Sequence, residues 1–161
     1  MKKFLLIADK IGKTNLMKLF IYFIISLFCI TSVFSIEKTK EEKVAKYIIE
    51  NIQKDYIACY SFYKVSAETF KRANREKNIV QGLEKSADIT LKFNYDLGEV
   101  LGLKPKTMAL KNKKEVEKFT KIAKKDFSSL SKKYGLMCKK LVENQKQRIS
   151  YWEDKGNNKI K

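Results

Sequence analysis

Three cysteines and no histidine bound the chemistry open to this chain. Without imidazole there is no His-based triad and no imidazole general base. An ordinary zinc site is also missing, because zinc as a rule takes four ligands. Neither a G-x-x-x-x-G-K loop nor a G-x-G-x-x-G turn occurs. Carboxylates come in pairs: Glu41/Glu42, Asp96/Glu99, Glu115/Glu117 and Glu153/Asp154. Asp96 and Glu99 share a helical face, and two acids can hydrolyse a glycoside when suitably spaced. The simpler reading of these acids is a solvated helix surface answering nearby lysines. No catalytic, metal-binding or cofactor-binding residue is therefore assigned, and no cofactor is expected. Two groups remain: Cys59 with Cys138, and the run Arg148, Tyr151, Trp152.

What the cysteines do depends on the compartment. The segment from Leu19 to Ile36, "LFIYFIISLFCITSVFSI", holds no charge, and Lys2, Lys3, Lys10, Lys13 and Lys18 precede it against one acid, Asp9. This is the layout of a secretory signal peptide. A cut after Ser35 puts Val33 at −3 and Ser35 at −1, both small enough for a signal peptidase. Residues 1–35 are read as the signal, with Met17 as an alternative start. The rival is an uncleaved single-pass anchor, since the apolar stretch is at the lower edge of what spans a bilayer. Lipidation at Cys29 is disfavoured, because Phe28 stands where a lipoprotein signal needs a small residue. Either main reading delivers the rest of the chain to the periplasm or beyond.

The residues after the cut make one ordinary domain. Its periodicity is helical. From Thr39, which forms a capping box with Glu42, the apolar positions run Val44, Ile48, Ile52, Tyr56, Cys59, Tyr63, Ala67, Phe70. Their steps of three and four lie on one helix face. "RANREKN" ends this helix. Asn78 is expected to cap a second, through Leu83, Ala87, Leu91, Leu97 and Leu101, stopped by Gly102 and Pro105. A third run goes from Val116 through Phe119, Phe127, Leu130, Tyr134, Cys138 and Leu141 to Ile149 and Trp152. No stretch alternates with period two for long. The expected fold is all-α: an antiparallel bundle of three to four helices over residues 36–153, with a disordered tail over 154–161.

Cys59 and Cys138 both lie on apolar stripes and both survive signal removal. In an oxidising compartment two such cysteines usually pair. The alternative is a pair of free buried thiols. A reactive thiolate is disfavoured, because Cys59 sits mid-helix with no base or helix N-terminus beside it. Pairing constrains the architecture. An unbroken helix over 107–153 would carry Cys138 about 30 Å past Cys59 at 1.5 Å per residue. A break near "KKDFSSLSKKYG", ending one helix near Lys125 and starting the next at Ser128 or Ser131, brings the two level. Arg148 and Trp152 are expected to pin the last helix to the bundle, with an exposed patch of Arg148, Tyr151 and Trp152 as the rival. Ile57, Phe62 and Val65 lie off the main stripe of the first helix. That helix is therefore central, or this second face meets another copy of the chain.

The motifs "CYSFYKVSAE" (59–68), "KYGLMCKKL" (133–141) and "RISYW" (148–152) resemble those of a group of small exported helical proteins of marine bacteria. That group carries C-x-x-Y-Y-like and Y-G-x-x-C-K … R-x-x-Y-W patterns. The resemblance covers residues 45–153 and implies export and paired cysteines, with no activity attached. Where such sequences often have a proline before the arginine, this chain has "ENQKQ".

The charge bears on partners. Residues 36–161 carry 30 basic against 17 acidic groups, and only Arg72, Arg75 and Arg148 are arginine. Such a field attracts anionic envelope surfaces, lipid headgroups or polysaccharide. Nucleic acid is disfavoured, because its sites lean on arginine for bidentate contacts. The expected function is a non-enzymatic binding or scaffolding role at the cell envelope. A basic polyanion- or nucleic-acid-binding protein comes second, and an enzyme acting on envelope carbohydrate third.

Overall fold

The computed structural model describes residues 39–160, so the hydrophobic segment, Cys29 and the cut after Ser35 lie outside the described residues. Among the described residues the chain forms four helices and no strand: α1 (Lys40–Arg72), α2 (Lys77–Val100), α3 (Pro105–Glu143) and α4 (Gln145–Lys159). None of these helices is long and apolar enough to cross a membrane.

The ends of the helices follow from local chemistry. Thr39 Oγ1 accepts the amide of Glu42 at 3.3 Å and starts α1. Asn74, at φ 50°, ends it, with the Arg75 amide reaching back to the Phe70 carbonyl at 3.0 Å. Asparagine tolerates this left-handed conformation better than most residues. The second cap differs from expectation: α2 starts after Glu76, and Asn78 instead accepts its neighbour Ile79's amide inside the first turn. Gly102 closes α2 at φ +69°, and the Leu103 and Gly102 amides bond to the Gly98 and Glu99 carbonyls, both at 2.8 Å. This is a Schellman motif, and Pro105 opens α3 at a position where no amide is needed.

The expected break in the third run is present at Asp126. Its φ of −156° and ψ of 91° are non-helical, and its carboxylate accepts the Ser129 amide at 3.0 Å. Asp126 therefore caps the second arm of α3. The arms fold back on each other, bringing Phe119 and Tyr134 into tilted contact with ring centroids 4.6 Å apart. On a straight helix fifteen residues would separate them by about 22 Å. A second break, at Asn144, divides α3 from α4 in the "ENQKQ" segment.

Helix α1 is the central one. It packs against α2, α3 and α4, whereas α2 and α4 do not touch. The core gathers Ile52, Tyr56, Cys59 and Tyr63 of α1 with Ala87 of α2 and Phe119, Leu130, Cys138 and Leu141 of α3. Ile57, Phe62 and Val65 are buried as well, at 9 % exposure or less, so the surface once open to a second copy is covered within the chain. The seam of α2 is more polar than its leucines suggested. Besides Val80 and Ala87, its buried positions are Thr90, Asn94 and Gly98, and a Cβ on Gly98 would collide with Met108 Sδ of α3.

The tail is also corrected. Residues 154–159 continue α4, and Gly156 is buried against Tyr47 and Val44 of α1. Packing against α1 supplies what the polar sequence "DKGNNK" lacks in helix propensity.

Candidate functional site

Cys59 and Cys138 are both fully buried, with Cα atoms 5.2 Å apart and sulfurs at disulfide distance. The register explains why they meet. Phe70 of α1 packs on Phe127 of α3, centroids 5.8 Å apart. Eleven residues separate Phe70 from Cys59, and eleven separate Phe127 from Cys138. Two antiparallel helices in contact at the first pair therefore come level again at the second. The cysteines are enclosed by core side chains, so they brace the bundle and offer nothing to a substrate.

One helical turn below Cys59, α1 carries Asp55, a carboxylate only 9 % exposed. Arg148 of α4 grips it with two bonds, Nε to Oδ2 at 2.7 Å and Nη2 to Oδ1 at 3.1 Å. Trp152 Nε1 donates to the same Oδ2 at 2.5 Å. Arg148 and Trp152 are four residues apart, so one face of α4 presents both donors. Bidentate, charge-assisted bonds are the strong class of hydrogen bond. The guanidinium also lies over the rings of Tyr151, at 4.4 Å, and Trp152, at 5.0 Å. Trp152 meets Tyr47 of α1 edge-on, at 6.1 Å. Sequence reasoning found Arg148 and Trp152 but not Asp55. Its signal is an acid between Gln53 and Tyr56, on a helix face otherwise read as core.

Tyr151 is different. It is 42 % exposed and opens onto a groove of about 440 Å³ where α3 bends into α4. Lys132, Lys133, Leu136, Lys140 and Gln147 line that groove with it, and no acid does. Leu136 is 65 % exposed, the ammonium of Lys133 lies 5.4 Å from the ring of Tyr134, and that of Lys155 5.8 Å from the ring of Tyr151. The three residues singled out in the sequence are thus brought together but divide their work. Arg148 and Trp152 hold α4 to α1, and Tyr151 faces out among lysines.

Comparison of the chain with protein-family models, curated proteins and solved structures finds no match. The elbow's guanidinium fork is occupied by Asp55, so an anion arriving at the groove meets lysine point charges and not a planar fork. That suits a diffuse negative surface better than one discrete phosphate. Asp96, the acid considered for glycoside hydrolysis, is exposed and paired with Lys92 at 3.2 Å on the outside of α2. No group of three or more potential metal ligands occurs among the described residues.

Proposed function

We propose that this chain is an exported, non-enzymatic protein that docks on the anionic lipid surface of a cell envelope through the elbow of α3 and α4. The observation that carries the reading is Leu136, an apolar side chain 65 % exposed in a groove shared with Lys132, Lys133 and Lys140. An apolar side chain that inserts, ringed by lysines that meet headgroups, is the pattern of interfacial binding. Tyr151 adds an amphipathic ring of the kind favoured at headgroup depth. Export rests on the uncharged segment 19–36 with its basic flank, on the cysteine pair, and on the resemblance to small exported helical proteins.

Two measurements test it. Sedimentation with phosphatidylglycerol-containing vesicles is expected to retain the protein, with retention falling as salt rises, since exposed charges are screened. Leu136→Ser and Lys140→Glu each weaken retention. Retention on DNA or heparin with none on vesicles would move the function to a polyanion binder. Intact mass of the native protein is expected to begin at or near Ile36, and full-length chain in the cytoplasm would overturn export.

A further inference from the structure

A second groove, of about 740 Å³, lies away from the elbow, between α1, the turn joining α2 to α3, and the first arm of α3. Its volume falls within the range of small-molecule sites. Ile57, Leu101 and Leu103 supply an apolar lining, and Lys46, Lys54, Lys111 and Lys114 supply charge. Two acids also line it. Glu50 is engaged by Lys46 at 3.7 Å, and Glu115 by Lys118, outside the groove, at 2.7 Å. Among the described residues Lys54, Lys111 and Lys114 have no such acid partner, so they face the groove uncompensated.

Gln53 also lines this groove, and it is only 3 % exposed. Its Nε2 is buried with no hydrogen-bond partner among the described residues. The amide reaches so far inward because Gly98 opposite lacks a Cβ, which would stand 3.0 Å from Nε2. A buried donor left unpaired is costly and calls for an acceptor. To meet an acceptor in the groove this donor must turn about its side-chain bonds.

We infer that this groove binds a small amphipathic carboxylate, with the head on Gln53 and the lysines and the chain on Ile57, Leu101 and Leu103. The charge argues for an anion: with Glu50 and Glu115 engaged, Lys54, Lys111 and Lys114 are left to meet it, and the apolar lining asks for a hydrocarbon chain, which inorganic phosphate lacks. The site is independent of the lipid-docking elbow and does not rest on it.

The test titrates the full exported chain with decanoate, below its micelle concentration, and follows the methyl resonances of Ile57, Leu101 and Leu103. Saturable shifts at these methyls are expected. Inorganic phosphate and decyltrimethylammonium are expected to leave them unmoved. The double variant Lys111→Gln/Lys114→Gln, at exposed positions, is expected to keep its melting temperature and bind decanoate about tenfold more weakly. Lys140→Glu, at the elbow, is expected to bind decanoate unchanged. No saturable shift, equal binding of decyltrimethylammonium, or full affinity in the double variant would each overturn the inference.

Discussion

Asp55 is a buried carboxylate whose oxygens accept bonds from Arg148 and Trp152 alone among the described side chains. Removing it leaves a guanidinium facing the core unmatched, which is worse than never having built the pair. Asp55→Ala is expected to lower stability by roughly 2–4 kcal/mol in urea denaturation. A change within a few tenths of a kcal/mol would mean that the clamp contributes little. Tyr56 and Tyr63 make a second residue-scale prediction. Burial pushes both phenols up to about 12 from 10.0, with the charge of Glu143 adding to the effect at Tyr63. Below pH 10 both states keep the proton and nothing is lost. Above it the unfolded chain ionises first, so stability falls as pH climbs through about 12. Urea midpoints measured from pH 9 upward are expected to decline, and Tyr56→Phe is expected to flatten the decline.

At the scale of the helix, what was legible in the sequence is what is set locally. The Thr39 cap depends on a side chain within four residues and the stop at Gly102 on the absence of one, and both are where spacing and residue type put them, whereas the break capped by Asp126 follows from the level that the cysteine pair requires. Gly102→Ala, in a left-handed position, is expected to cost about 1 kcal/mol, and Asp126→Ala a similar amount through the lost cap. Thermal melts of the two variants check this. What was not legible depends on partners far along the chain. Residues 154–159 look like a free tail until Val44 and Tyr47 bury Gly156. Asn94 and Asn112 read as surface residues, yet they bond to each other at 2.8 Å inside the bundle. The same holds at the elbow: Arg148 and Trp152 stand out by type, but Asp55 becomes visible only when α4 lies against α1.

Over the whole molecule, the Cys59–Cys138 pair joins the central helix to the second arm of α3 across 79 residues of sequence. In the chain-entropy model, closing a loop of that length removes about 4 kcal/mol of freedom from the unfolded state. Reduction is expected to lower the unfolding free energy measured in urea by that order while the helical circular dichroism at zero urea is retained. Collapse of the helical signal on reduction would mean that the four helices cannot hold each other without the cross-link.

That cross-link also decides how the molecule meets proteases. The turn between α1 and α2, with exposed Arg75, and the turn between α2 and α3, where Pro105 shields the Lys104 bond from trypsin, both fall inside the span from Cys59 to Cys138. A tryptic cut after Arg75 leaves two fragments still joined through sulfur, and the core contacts of both remain. The junction at Asn144 falls outside that span, so a cut there leaves α4 held by the Asp55 clamp and its packing alone. Limited trypsin digestion is expected to give one band on a non-reducing gel where a reducing gel gives two. Wherever proteases are abundant, a bundle wired in this way keeps its core together after it has been nicked.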